Sequence, residues 1–180
     1  MWGLAYGLLV AALVVRVRTA EAPPEPVLPL PGEPLWLTRL HHALLALLLL
    51  GAPLEDLVRG GRAPWRATGL VAFAAGILLY RVAGRTLGEA LSPFIEPRTG
   101  APLVTHGLYR HLRHPIYLSE TLIALGAPLT LGARWTLAVS AAALAVLVLR
   151  IAREEEALAR TFPAYTRYAA TTKRILPFVY

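Results

Sequence analysis

Five apolar blocks set the terms for this chain. They cover residues 1–15, 35–54, 67–80, 115–133 and 135–149, and only Arg39, His41, His42 and Glu120 place basic or acidic side chains inside them. Hydrophobic residues make up 56% of the 180 and charged residues only 16%, against about 25% charged in soluble domains. That is too little charge to cover a water-facing surface, so the expected solvent is a bilayer. A span needs roughly 20 residues, and the first, third and fifth blocks fall short of it. Flanking arginines that snorkel, with Trp65, Tyr80 and Trp135 at headgroup depth, extend them. The expectation is an all-α polytopic membrane helical bundle of about five transmembrane helices, residues 1–80 carrying helices one to three and residues 81–180 the remainder.

The first block has no basic residue before it, whereas Arg16 and Arg18 follow it. Ala20-Glu21-Ala22 loosely resembles a signal-peptidase site, but this charge order suits an uncleaved helix with its N-terminus outside. With five spans, loop one, loop three and the C-terminal tail share a side. That side holds Arg16, Arg18, Arg81, Arg85, Arg98, Arg110, Arg113, Arg150, Arg153, Arg160, Arg167, Lys173 and Arg174, against Arg59, Arg62, Arg66 and Arg134 opposite. The positive-inside rule places the richer side in the cytoplasm, and the expected location is a cell's inner membrane. The net charge of +7 is thus used up in flanking apolar blocks, and no nucleic-acid partner is expected. Zero cysteines exclude disulfides, thiolate metal sites and cysteine nucleophiles. No metal site is expected, and the oligomeric state is not legible.

Loop one, residues 19–34, is proline-rich and reads as an extended linker without chemistry. Loop three, residues 81–114, is too long to be mere connection in so small a protein. The tail continues the fifth helix as an amphipathic helix over residues 150–161 until Pro163 interrupts it. Most of the histidine, tyrosine and acidic residues lie in these two segments, so an active site is expected where they meet.

Loop three closes with His106-Gly107-Leu108-Tyr109-Arg110-His111-Leu112-Arg113-His114-Pro115-Ile116-Tyr117. Gly107 permits a close backbone approach, and Pro115 suits a helix's first turn, whose free N–H groups and positive dipole end favour an anion. The tail opens with Arg150 and Arg153 followed by Glu154-Glu155-Glu156, then Leu158, Phe162, Tyr165 and Tyr168. Three adjacent carboxylates point in different directions around a helix, and at least one is expected to face the loop. Glu120, inside the fourth block, is a membrane-embedded carboxylate and by default a functional one.

The order Gly107, Tyr109, Arg113-His114-Pro115, Tyr117, then Glu154-Glu155, Leu158, Phe162, Tyr165, Tyr168 and Pro177 resembles the isoprenylcysteine carboxyl methyltransferase and phospholipid methyltransferase group of integral-membrane enzymes. The likeness runs from Leu103 to Pro177, with a weaker echo at Leu87-Gly88, and leaves the first two helices unmatched. Phe162-Pro163-Ala164-Tyr165 is one residue shorter than the family pattern. The resemblance implies S-adenosylmethionine as cofactor and a lipophilic or lipid acceptor arriving from the membrane. Carried over, it implies cofactor binding by Gly107, Tyr109, Arg113, His114, Pro115, Tyr117, Glu154 and Glu155. It implies an anionic acceptor, a carboxylate as in isoprenylcysteine, held by Arg150 or Arg153. Glu120 is the candidate base if the acceptor is instead a lipid amine. The rival reading is a membrane sterol or steroid reductase using NADPH, since Arg-His-Pro-x-Tyr followed by Glu is similar to a motif of that group. The glutamate run and the short length favour methyl transfer. A non-catalytic membrane protein is the third reading.

Overall fold

The computed structural model describes residues 1–19, 28–60 and 63–175. They form α1 (Trp2–Thr19), α2 (Leu35–Arg59), α3 (Arg66–Leu87), α4 (Pro115–Leu131), α5 (Thr136–Thr161) and α6 (Tyr165–Thr171), with 3-10 turns at Gly88–Ala90 and Gly107–Arg110. The fold is an all-α bundle, and among the described residues three helices are long and apolar enough to cross a membrane: Leu35–Arg59, Arg66–Ala90 and Thr136–Thr161. The expectation of five spans is corrected here. The apolar part of α1, Trp2–Val14, and the whole of α4, Pro115–Leu131, are shorter. At 1.5 Å per residue, the 17 residues of α4 rise about 26 Å against a hydrocarbon core of about 30 Å. Pro115 in its first turn and Gly132, in the left-handed conformation just past its end, fix that length.

A short α4 is tolerated because protein surrounds it. It touches α1, α2, α3 and α5, and its buried residues run from Pro115 to Leu131. Against α3 the approach is close enough that a Cβ on Gly126 would lie 2.5 Å from the Phe73 backbone nitrogen, and one on Gly69 would lie 2.4 Å from that of Thr130. Small residues let helices gain dispersion contacts that lipid cannot supply. Leu48, Ala52, Phe73, Ile77, Ile123, Ala124 and Leu131 fill the core between these helices. α1 joins through Tyr6, whose ring lies 5.5 Å from that of Phe73 and whose hydroxyl donates to the Leu49 carbonyl at 2.6 Å.

The two ends are tied differently. At one, Glu55 of α2 accepts from the Trp135 and Thr136 backbone N–H groups at 2.9 and 2.8 Å, satisfying donors that the start of α5 leaves open. Arg66 reaches both Asp56 at 2.7 Å and the Leu131 carbonyl at 2.8 Å. At the other end, residues 111–114 pair with the tail: the Arg113 N–H donates to the Lys173 carbonyl, the Lys173 N–H to His111 and the His114 N–H to Arg174. The grouping of loop three with the tail, reached from charge counting, therefore holds in space. Residues 20–27, with Ala20-Glu21-Ala22 and most of the expected linker, and Pro177 lie outside the described residues.

Gly126→Ala is expected to push α3 and α4 apart at a backbone contact that no rotamer change relieves, costing about 1–3 kcal/mol. Thermal unfolding in detergent should show a lowered Tm. An unchanged Tm would mean the helices sit further apart than described.

Candidate active site

A cavity of about 340 Å³ opens where loop three, α4 and the α5 extension meet. Its volume suits a small-molecule or cofactor site. Seven of the residues singled out from sequence line it together: Tyr109, Arg113, His114, Tyr117, Glu120, Arg150 and Glu154. Residues 91–98 and 101–104 of loop three form much of its apolar wall.

The α5 geometry sorts the arginines and glutamates. Arg150 and Glu154 are four residues apart and so share a face, and both look into the cavity. Arg150 is buried, 3% exposed. Its Nη2 donates to the Pro93 carbonyl at 3.0 Å, and its guanidinium stands over the Tyr117 ring at 5.9 Å. Its Nε and Nη1 are buried without a partner, and no carboxylate among the described residues pairs with it. Glu154 accepts the Tyr117 hydroxyl at 2.5 Å, with His114 Nδ1 4.0 Å away. Arg153 points outward, 65% exposed, and pairs with Glu156 at 3.5 Å.

Glu155 does not line the cavity. One of its oxygens accepts Arg113 Nε at 2.8 Å with His114 Nε2 at 3.4 Å, and the other pairs with Arg174 at 2.7 Å. Arg113 also donates through Nη1 to the carbonyls of Ala169 and Thr172. The pair thus clasps the loop end to α5 and α6, and a ligand meets only the cavity side of Arg113. Gly107 and Pro115 stand outside the lining and shape the backbone beneath it. Gly107 has φ +59, and a Cβ there would lie 2.9 Å from Thr86, while Pro115 opens α4 so that Tyr117 and Glu120 face inward.

Other contributors come from segments in which the sequence signalled no chemistry. Glu33, two residues before α2, accepts the Ile95 and Glu96 backbone N–H groups at 3.1 and 2.9 Å and the Thr38 hydroxyl at 2.9 Å. It holds the cavity wall from below, and Arg160 holds Glu96 from α5 at 2.8 Å. The end of loop one therefore does carry a role. A lone glutamate in a proline-rich stretch gave no signal for this. His41, 1% exposed, meets Glu120 at 3.1 Å, and His42 lines the cavity. Adjacent histidines near the start of an apolar block were the available signal.

Burial raises the Tyr109 phenol above its usual range, helped by the Glu154 charge, and pushes Tyr168 up to about 12. Both stay neutral across physiological pH. Tyr168 donates to the Tyr109 carbonyl at 2.7 Å, while the buried Tyr109 hydroxyl has no protein partner.

Arg113→Lys keeps the charge but loses the fork that reaches three acceptors. The expected result is faster proteolysis and hydrogen exchange across residues 165–175, with the membrane core unaffected. Unchanged exchange there would remove the clasp from the description.

A family model described as the isoprenylcysteine carboxyl methyltransferase family matches residues 67–160, from the first turn of α3 to the last of α5. No curated protein sequence matches the chain. Among solved structures, the eukaryotic intramembrane Ras methyltransferase, isoprenylcysteine carboxyl methyltransferase, solved without a monobody, aligns with a TM-score of 0.56 at 20% identity. The alignment covers 83% of this chain and 55% of that one, so this chain spans little more than half the length of the enzyme it resembles, and the likeness is one of fold. The family match takes in just over half of the chain and holds all seven of those cavity residues, and on that match the chain belongs to the isoprenylcysteine carboxyl methyltransferase family.

Proposed function

We propose that this protein is an S-adenosylmethionine-dependent carboxyl methyltransferase of a cell's inner membrane. Its active site faces the cytoplasm and acts on a lipophilic acceptor. The observation that carries this reading is Arg150: a buried guanidinium with two unpartnered nitrogens on a largely apolar cavity. Leaving a buried cation unpaired is costly, and an acceptor carboxylate relieves that cost where a neutral or cationic acceptor does not. The cavity wall of Leu87, Leu91, Phe94 and Ile116 suits the chain that follows such a headgroup.

The residues present also fit the cofactor. Glu154 offers carboxylate oxygens to ribose hydroxyls or an amino group, and the unpartnered Tyr109 hydroxyl offers a donor to a polar atom. When bound, S-adenosylmethionine supplies a methyl group on a cationic sulfur. Arg150 then holds the acceptor oxygens in place, and the wall at residues 91–104 keeps water off them. Alignment and water exclusion are the main contributions needed, because a carboxylate is already the nucleophile. A carboxylate acceptor has no proton to lose, so Glu120 removes none. His114 and Arg113 fix the first turn of α4 and, through Glu155, the α5 face that presents Glu154.

Isotope-labelled methyl transfer to an S-farnesylcysteine acid in detergent tests this reading. Arg150→Ala is expected to lower kcat/KM by roughly 100-fold or more, while Arg153→Ala stays within about threefold because its side chain is exposed. Equal losses would move the acceptor site elsewhere. Glu154→Gln is expected to weaken S-adenosylmethionine binding about tenfold in a calorimetric titration. Binding of NADPH in place of S-adenosylmethionine in that titration would overturn the methyltransferase reading.

A further inference from the structure

Arg150 is not the only charged group on the cavity. Glu120 also lines it, together with His42 and Tyr117, and the Arg150 guanidinium stands over that same Tyr117 ring at 5.9 Å. A carboxylate on the same cavity as an unpaired guanidinium, in surroundings of low dielectric, is a ready internal competitor for any anionic ligand. It does not pair with Arg150. Instead it meets His41 at 3.1 Å, across from α4 to α2, and His41 is fully buried by the helices around it.

We propose that His41 is a specificity-determining residue: by holding the Glu120 carboxylate against α2 it keeps Arg150 free for a ligand and so makes the cavity select an anionic acceptor over a neutral one. The inference rests on the acceptor reading above and extends it to a helix outside the family-matched residues. His41 acts through Glu120 and touches no ligand itself, so it is a positioning residue. Without it, Glu120 has two outcomes. It turns to Arg150 and closes the anion site, or it stays charged and repels the acceptor carboxylate. Either outcome lowers affinity for an acid and spares an uncharged analogue of the same shape.

The test compares two probes on the full chain in detergent, N-acetyl-S-farnesylcysteine and its carboxamide, by calorimetric titration. The native protein is expected to prefer the acid at least tenfold. His41→Ala is expected to reduce that preference below threefold while the carboxamide Kd stays within twofold, which also reports an intact fold. His41→Ala combined with Glu120→Gln should restore the preference, since the carboxylate that His41 held is gone and Glu154 stays engaged by the Tyr117 hydroxyl. His41→Gln, which keeps an N–H donor for Glu120, should retain at least half of it, and it decides the matter should His41→Ala bind neither probe. An acid preference that survives His41→Ala, a double variant that fails to restore it, or a native protein without any preference overturns the proposal. Labelled methyl transfer separates the two readings. Acid preference without transfer sinks the enzymatic reading alone, and transfer that is insensitive to His41 sinks this one alone.

Discussion

The cavity depends on the way one guanidinium is satisfied. Arg113 ends the long loop, yet its donors are shared between a carboxylate of α5 and two carbonyls at the end of α6. Those carbonyls belong to the helix terminus that has no intrahelical partners, where a cation is also favoured by the dipole. A half-buried ion pair on its own contributes little once desolvation is counted. Here it is completed by backbone acceptors and by Arg174, so its value lies in geometry. It sets the height of the loop over α4 and the rotation of α5 about its axis. That rotation turns Glu154 inward and Arg153 outward.

Much of this arrangement was legible in the sequence, for identifiable reasons. The apolar blocks and the order of the arginines gave the bundle and its two ends, because the bilayer punishes misplaced charge. The His-Pro pair and the glutamate run marked the two halves of the candidate site, because charged residues are scarce in so apolar a chain and three carboxylates in a row stand out. Which glutamate faced inward was less legible. Helical spacing puts neighbours about 100° apart, but the absolute phase comes from packing and from partners such as Arg113 on Glu155 and Tyr117 on Glu154. The span count failed at α4 for a similar reason. Hydropathy reports preference for an apolar surrounding, and α4 finds it in other helices as much as in lipid.

Glu33 and His41 were illegible because each works alone at long range, one holding backbone 62 residues away and the other a carboxylate 79 residues away. No local pattern announces a partner at that distance. Glu33 lies two residues before α2 and His41 in its second turn, and both hold parts of a cavity whose lining residues come from later in the chain. The N-terminal segment therefore takes part in the site, although its residues show none of the family's motif.

The boundary of the family match has a consequence of its own. Residues 67–160 leave out Glu33, His41, Glu55 and all of α6. A chain cut at those limits would open the cavity wall at Ile95, uncap the start of α5 and leave Arg113 without its backbone acceptors. The matched stretch is thus smaller than the set of residues that holds the cavity together. A change at Glu33 or His41 is then a change of supporting parts that leaves the residues within the family match in place.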